Sequence, residues 1–343
     1  MITRRHVVAG LTALGAGVGQ RPVHADTAAL LEAARREGTL TWYIAQVDAE
    51  QAEALGRMFT RQYPGISVAV IRTTGQIAYQ RLLLDLKNSA PQCDVFSTTD
   101  ISHMPALKAR NALAHYTPDN AAGLLPAFRR LSDDGWYYVN SATNHFLIYN
   151  TDKVRAEDAP RSWPDLLDPR WKRQIALPHP AFSGCGGVWA LGLRKVYGWA
   201  YFEKLAKNEP RIGRSFGDPV TLLAAGECRV APGPANASYP AVEKGNPIGI
   251  IYPSDGSSVC AAPSAVPAAA PHPNAARLFM DWLLSETTSQ LALDRGSEPL
   301  RAGLAVTPGR KTVEQLPVIE LSVEEIRKGI PEVIEAWRDT FGS

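Results

Sequence analysis

The sequence has little of what enzyme and metal-site motifs require. Its four cysteines, Cys93, Cys185, Cys228 and Cys260, lack CxxC spacing, which argues against a structural zinc site. It contains no HExxH motif, no P-loop and no serine in G-x-S-x-G, and its histidines are scattered without metal-ligand spacing. Because no set of nucleophile, base and oxyanion hole emerges, a hydrolase is the least supported class of function. We predict no catalytic residue, no cofactor and no metal site.

Long apolar runs and charge of one sign are also missing. Beyond the N-terminal segment no run of about 18 apolar residues occurs, so we predict no membrane span and a soluble mature chain. Charged residues make up 20% and hydrophobic residues 45% of 343, a globular composition long enough for two lobes with separate cores. The net charge is only +2, which gives no indication of a nucleic-acid partner.

The N-terminus is typical of an exported protein. Arg4 and Arg5 give it a positive start, Val7 to Val18 is uncharged and mostly apolar, and Ala25 follows small residues suited to cleavage. We interpret residues 1–25 as a signal peptide cleaved near Ala25, which predicts a periplasmic protein. The paired arginines fit a twin-arginine signal and also a general secretory signal. In an oxidising compartment the cysteines allow two disulfides in three connectivities, and we take Cys228 with Cys260 as the candidate pair.

The next part of the chain alternates between strand and helix patterns. Leu40, Trp42 and Ile44 alternate with polar residues as a strand, Leu55 to Phe59 recurs as a helix face, and Ile66 to Val70 alternates again. Strand, helix, strand indicates a parallel βαβ unit. A second unit follows, with a helical pattern over 77–86 and a strand that ends in small polar residues at 97–100. Such strand ends line the cleft in open α/β sheets.

The C-terminal third combines a turn, a strand and a helix. Asp255-Gly256 marks the turn, Ser264 to Pro267 is a short apolar run, and Asn274 is placed to cap the helix that follows. In that helix the apolar residues recur at helical spacing, so one face is predicted to be core.

Three motifs carry a resemblance to a known family. They are Ser162 to Trp171 (SWPDLLDPRW), Leu222 to Glu227 (LLAAGE) and Pro273 to Ser285 (PNAARLFMDWLLS). The chain resembles the periplasmic solute-binding proteins of ABC importers, in the cluster of ferric-iron, phosphonate and polyamine binders. The resemblance implies an α/β, two-lobed type II periplasmic-binding-protein fold with two crossover hinge segments, near 140–150 and 255–268. It assigns 26–142 and 262–343 to the first lobe and 143–261 to the second.

Ser183-Gly184-Cys185 is the strongest candidate for ligand contact. It precedes an apolar helical run, and glycines at a helix start let the backbone approach a ligand while free N–H groups and the helix dipole favour an anion. The family resemblance implies an anion-binding role for a Ser-Gly-small segment here. A glycine-rich helix start without any ligand is the alternative reading of the residues alone.

A second candidate lies across the predicted cleft. Arg72, Thr73 and Thr74 stand at the C-terminal end of the second strand, where the guanidinium and the hydroxyl groups suit an anion. Plain helix capping with a solvated Arg72 fits equally well. Gln46 and Thr99, at the ends of other strands, are weaker candidates for the same reason.

Ferric iron is the main alternative ligand. The resemblance implies adjacent tyrosines after the LLAAGE strand, but this chain has only Tyr239 there, and a ferric ion requires several anionic oxygen ligands. Asn236 and Tyr239 suit hydrogen bonds to a polar organic solute, and Asp255 suits an amino group or serves only as a turn residue. We therefore predict a monomeric binding protein, not an enzyme, that delivers a small anionic solute to an inner-membrane ABC permease. As the ligand, a phosphonate- or carboxylate-like solute ranks ahead of iron.

Overall fold

The computed structural model describes residues 25–342. The predicted signal peptide, residues 1–25, lies outside the described part except for Ala25, which is the first residue of helix α1. Ten strands occur: β1 Thr39–Ile44, β2 Ser67–Arg72, β3 Val95–Ser97, β4 Tyr138–Asn150, β5 Ala176–Pro178, β6 Arg211–Gly213, β7 Val230–Pro234, β8 Ile248–Ile251, β9 Ser257–Ala265 and β10 Val318–Ile319.

Twelve α-helices connect the strands in this part of the chain. They are α1 Ala25–Glu37, α2 Ala49–Gln62, α3 Gly75–Lys87, α4 His103–Lys108, α5 Pro126–Arg129, α6 Gly184–Tyr197, α7 Ala200–Ala206, α8 Asp218–Ala224, α9 Ala235–Glu243, α10 Pro273–Leu283, α11 Glu286–Asp294 and α12 Val323–Phe341. Short 3₁₀ turns occur at Asp119–Gly123, Trp163–Leu167, Pro169–Trp171 and Val313–Gln315. None of the α-helices within residues 25–342 has the length and apolar character of a membrane span.

One eight-stranded sheet runs through both lobes. In the first lobe β1 lies parallel to β2 and β3, and β9 is antiparallel to β3 and β4. The far half of β4 pairs antiparallel with β7 and β8 in the second lobe. Strands β4 and β9 are thus the two crossover segments, and they coincide with the predicted hinge regions.

Aromatic rings close the core of the first lobe. Phe279 and Trp282 of α10 pack on Phe59 of α2 with ring centroids 4.9 and 5.5 Å apart, and Phe279 also contacts Trp42 of β1. The predicted core face of α10 is therefore correct. Its predicted cap is wrong, because the N-terminus of α10 is capped by Glu37 at the end of α1.

The Glu37 carboxylate accepts hydrogen bonds from the backbone N–H of Asn274 at 3.0 Å and of Ala275 at 2.7 Å. The Asn274 side chain donates to the same carboxylate at 2.7 Å, and Asn274 is the second residue of α10 rather than its N-cap. A negative charge at this position also interacts favourably with the helix dipole.

The Trp163 cluster forms the floor of the second lobe, as predicted. Trp163 and Leu166 are fully buried and Trp171 nearly so. The Trp163 indole N–H donates to the carbonyl of Gly256 at 2.7 Å, and Tyr201 donates to the carbonyl of Trp163 at 2.9 Å. The motif that carries part of the family resemblance is thus structural.

Helix α12 departs from the predicted division of the chain. The prediction placed everything from 262 to 343 in the first lobe, whereas α12 packs on α6 and α7 of the second. Trp337 is fully buried, with its ring 5.7 Å from that of Phe202 and 6.5 Å from that of Trp189. Arg194 of α6 pairs with Glu332 at 2.7 Å. The amphipathic pattern of α12 indicated a helix with one buried face but not which lobe would cover it.

Candidate functional site

A cavity of about 540 Å³ lies between the lobes, within the size range of small-molecule sites. Its first-lobe wall is the edge where the parallel strands β1, β2 and β3 end, and its second-lobe wall comes from the starts of α6, α8 and α9. Seven of the predicted ligand residues line it: Gln46, Arg72, Thr74, Thr99, Ser183, Cys185 and Asn236. The tertiary structure thus brings together segments from both predicted halves of the site.

Four helices of at least nine residues begin at this cavity. They are α2, α3, α6 and α9, and their N-caps (Asp48, Thr74, Ser183, Pro234) are all part of the lining. Each helix start carries backbone N–H groups without intrahelical partners and the positive end of a helix dipole. Because two of these helices belong to each lobe, the positive potential comes from both sides of the cleft.

Two of the helix starts have no side-chain cap. Thr74 before α3 and Pro234 before α9 make no capping hydrogen bond of their own. In α9 the backbone N–H of Asn236 is taken by the Thr143 hydroxyl, whereas the first-turn amides of α3 remain available to a ligand. The hydroxyl of Thr74 is buried and has no hydrogen-bond partner among the described residues. By contrast, Asp48 caps α2 through Gln51 N–H at 2.7 Å, and Ser183 caps α6 through Gly186 N–H at 3.3 Å.

The lining contains two carboxylates, Asp48 and Asp218, and two cations, Arg72 and Lys244. Both carboxylates are occupied, since Asp48 caps α2 and Asp218 accepts from the backbone N–H of Arg214 at 2.7 Å and of Ser215 at 3.0 Å. Arg72 is exposed and uses only its Nε, which donates to the carbonyl of Val47 at 2.9 Å. Within residues 28–342 no ion pair involves Arg72 or the exposed Lys244. In this part of the chain Asp48 and Asp218 form no ion pair either, so the formal charges of the lining balance, and its preference for an anion comes from the helix starts together with the free guanidinium of Arg72.

Gln46 and Asn236 connect the lobes beside the cavity. The Gln46 side chain donates to Asn140 at 3.1 Å and accepts from it at 3.0 Å, so its amide is used internally. The carbonyl of Gln46 accepts from the Asn236 side chain at 3.5 Å, and the backbone N–H of Asn236 donates to the Thr143 hydroxyl at 3.3 Å. Asn236 therefore reaches from the second lobe to both the first lobe and the crossover strand β4.

The start of α6 lies directly against the first lobe. A Cβ atom on Gly184 would stand 2.3 Å from the Thr99 carbonyl oxygen, a separation that only glycine permits. Cys185 forms a disulfide with Cys260 of β9, while Cys93 and Cys228 are free and buried. The predicted Cys228–Cys260 pair is wrong, because the packing of α6 on β9 brings Cys185 to Cys260 instead.

Four of the predicted ligand residues lie off the cavity lining: Gly184, which packs against Thr99, and Thr73, Asp255 and Tyr239. The backbone N–H of Thr73 donates a hydrogen bond to the carbonyl of Ile44 at 3.1 Å. The carboxylate of Asp255 accepts from Trp163 N–H at 3.0 Å and from the Tyr197 hydroxyl, which makes it a brace within the second lobe. The Tyr239 hydroxyl is hydrogen-bonded to that of Tyr252, and burial, together with this bond, raises the pKa of Tyr239.

Several lining residues were missed by sequence reasoning. Asp48, Gln51, the 215–218 segment and Lys244 all face the cavity. Two of these segments carry helix-start signals that could have located them. One is Asp48 before an acidic first turn, and the other is the S-x-x-D spacing of Ser215 and Asp218. No sequence signal identifies Lys244, because its position depends on where the end of α9 lies relative to the cleft.

A buried carboxyl group makes the hinge region sensitive to pH. Glu298 is 4% exposed, its backbone N–H donates to the carbonyl of Ala142 in β4 at 2.8 Å, and its carboxyl accepts from Val313 N–H at 2.9 Å. Burial raises its pKa to about 7, and the nearby charge of Glu314 adds to the shift, whereas the Val313 bond opposes it. The folded protein therefore retains a proton that the unfolded chain releases at a lower pH.

We expect the free energy of unfolding to fall as pH rises from about 4.5 to 7, by on the order of 3 kcal/mol from Glu298 alone. Glu298→Gln should remove this part of the slope, while Glu335→Gln on the exposed face of α12 should keep it. Urea unfolding of the three proteins at several pH values between 5 and 8 measures the difference. If the free energy of unfolding changed with pH equally in the wild type and Glu298→Gln, the raised pKa of Glu298 would be contradicted.

Comparison with known proteins agrees with this architecture. Residues 90–309 match the family model described as bacterial extracellular solute-binding protein. A Salmonella typhimurium protein named "Putative 2-aminoethylphosphonate-binding periplasmic protein" is 27% identical over 224 residues, which cover 64% of this chain and 60% of that protein. The chain thus spans about three fifths of the length of this relative. A Haemophilus influenzae protein without a described function is 21% identical over 253 residues.

Solved structures share the fold at low sequence identity. The periplasmic binding protein AfuA from Actinobacillus pleuropneumoniae, with exogenous fructose-6-phosphate bound, has a TM-score of 0.81 at 20% identity, covering 89% of this chain and 99% of that one. Iron-bound HitA from Pseudomonas aeruginosa has a TM-score of 0.75 at 22% identity, covering 88% and 99%. These neighbours have the two-lobed type II fold of periplasmic binding proteins, which this chain shares. With a family match over more than half its length, the chain belongs to the bacterial extracellular solute-binding proteins.

Proposed function

We propose that this protein is the solute-binding component of an ABC importer, which captures a small anionic organic solute in the periplasm and presents it to an inner-membrane permease. The observation that carries the proposal is the cavity between the lobes, where four helix N-termini and the unpaired cations Arg72 and Lys244 converge. Phosphonate, phosphate and carboxylate groups are the chemical groups that such amide-rich, positive surfaces bind.

The lobes supply the two halves of the binding site. An anion in the cavity meets the uncapped start of α3 in the first lobe and that of α9 in the second, so its binding favours the arrangement in which both are close. The crossover strands β4 and β9 are where the lobes can rotate. The protein performs no chemistry on the solute, and it acts as a monomer that recognises the permease once closed.

Phosphonates are the first ligand class to test, because the Salmonella relative is named as a 2-aminoethylphosphonate-binding protein. Ferric iron is the second candidate, because the structural neighbour HitA is iron-bound. Against iron, the raised pKa of Tyr239 disfavours the phenolate that a ferric ion needs, and its hydroxyl is engaged by Tyr252. Both carboxylates of the cavity already accept backbone N–H groups of the protein.

A thermal-shift screen of residues 26–343 tests the proposal. A ligand that binds only the folded protein raises its melting temperature by mass action. We expect shifts with 2-aminoethylphosphonate or other small phosphonates, phosphates or carboxylates, and none with polyamines. A shift with ferric salts alone would replace the proposed ligand by iron, and no shift with any compound would oppose a solute-binding role for this cavity.

Arg72 should contribute to affinity for the anion. Arg72→Gln removes the charge while retaining polar contacts, so the Kd for any anion found in the screen should rise about 10- to 100-fold. The matched control is Arg57→Gln, because Arg57 is exposed on α2 and pairs with Glu53 away from the cavity. Isothermal titration calorimetry at a fixed salt concentration compares the two. Equal affinities would remove Arg72 from the site.

A further inference from the structure

The first turn of α6, which faces the cavity, is built from residues that favour disorder. Three of its first four residues are glycine, and at Gly184 the packing against backbone requires one. A Cβ on Gly184 would stand 2.3 Å from the Thr99 carbonyl oxygen, and one on Gly187 would stand 3.0 Å from Ile330. Each glycine costs a helix about 1 kcal/mol relative to alanine. The close packing of α6 is therefore obtained at the expense of local helix stability.

The one non-glycine residue among the first four of α6 is Cys185, in second position, and its disulfide supplies the missing constraint. Its partner Cys260 lies in the crossover strand β9, opposite Thr143 of the crossover strand β4. The Cys260 sulfur lies 3.5 Å from the carbonyl oxygen of Thr99 in the first lobe. The bond thus joins the start of α6 to the two strands about which the lobes rotate, next to the point where α6 meets the first lobe.

We propose that the Cys185–Cys260 disulfide positions the ligand-binding amides of α6. It keeps the glycine-rich first turn ordered in the ligand-free protein, and it holds that turn near the hinge while the lobes open and close. This inference rests on the proposed function, since it assigns a role within that binding site. Cys260 does not line the cavity and is a positioning residue that acts through Cys185.

A purely stabilising disulfide would behave differently. Cross-linking residues that are 75 apart in sequence restricts the unfolded chain, which raises stability wherever the bond is placed. Such an effect would change the melting temperature and leave both the order of the α6 turn and the ligand affinity unchanged. The two roles are therefore distinguished by measurements on the folded protein.

The test compares Cys260→Ser and the double variant Cys185→Ser/Cys260→Ser with Cys93→Ala and Cys228→Ala. The last two remove a buried sulfur without removing the cross-link. In the ligand-free protein, we expect amide hydrogen exchange at 184–187 to become at least about tenfold faster in the two variants that lack the disulfide. In Cys93→Ala and Cys228→Ala it should stay within about twofold of the wild-type rate. The Kd for 2-aminoethylphosphonate should rise about tenfold in the first pair only.

Unchanged exchange at 184–187, or an unchanged Kd with faster exchange, would overturn the proposal. If the serine variants do not fold, the wild-type protein treated with tris(2-carboxyethyl)phosphine, which reduces the bond to two thiols, provides the same comparison. Should oxidised wild-type protein bind no anion from the screen, the proposed function fails. The exchange measurement on the ligand-free protein then still decides whether the disulfide orders the α6 turn.

Discussion

Replacing Gly184 by alanine should reduce affinity for the anionic ligand by about 100-fold, equivalent to roughly 3 kcal/mol. The added Cβ would stand 2.3 Å from the carbonyl oxygen of Thr99 and 2.6 Å from the Cα of Asp100. Both neighbours are backbone atoms, so α6 and the 99–100 segment must move apart. Because these segments belong to different lobes, the movement separates the two halves of the site. We also expect a loss of about 1–3 kcal/mol in stability from the forced shift.

Gly192→Ala is the matched control for this prediction. Gly192 lies in the same helix, but its added Cβ would be 3.4 Å from Ile319, an ordinary contact distance. Alanine in mid-helix should therefore keep the affinity and gain up to about 1 kcal/mol in stability. Calorimetric titration with the anion found in the screen, together with urea unfolding, gives both quantities. Wild-type affinity in Gly184→Ala would show that contact between α6 and Thr99 is not needed for binding.

Replacing Trp337 by alanine should destabilise the second lobe by about 3–5 kcal/mol. Trp337 is fully buried, and its ring packs against those of Phe202, Trp189 and Phe341, with centroids 5.7, 6.5 and 4.2 Å away. Removing the indole leaves a cavity between α12 and the helices α6 and α7. Since α6 begins at the ligand site, binding should weaken as the lobe loosens.

Hydrogen exchange locates the effect of this substitution. We expect faster exchange in α6 and α7 of Trp337→Ala, with little change in α10 of the first lobe. Arg338→Ala, which alters the exposed neighbour of Trp337, should change the free energy of unfolding by about 0.5 kcal/mol or less. Loss of protection centred on α10 would show that α12 stabilises the first lobe, as the sequence alone had suggested.

The sequence alone was sufficient for the local elements and the fold class. The period-two pattern of 39–44 predicted β1, and the helical spacing in Leu55 to Phe59 and in 77–86 predicted α2 and α3, because a half-buried strand or helix must present apolar residues at its own period. The Trp163 motif likewise predicted the floor of the second lobe. The sequence also indicated segments that line the cavity between the lobes, since helix starts and strand ends are recognisable from local residues.

Which distant groups meet was decided only by the tertiary structure. Glu37 caps α10 from 237 residues away, Cys185 rather than Cys228 reaches Cys260, and α12 returns to the second lobe. Asp255 and Tyr239 were plausible ligand contacts by type, yet both are engaged by neighbours within the protein. The reason is physical: periodicity and capping preferences are properties of one segment, whereas a hydrogen bond, a disulfide or a packed ring requires the spatial approach of two, which the complete fold determines.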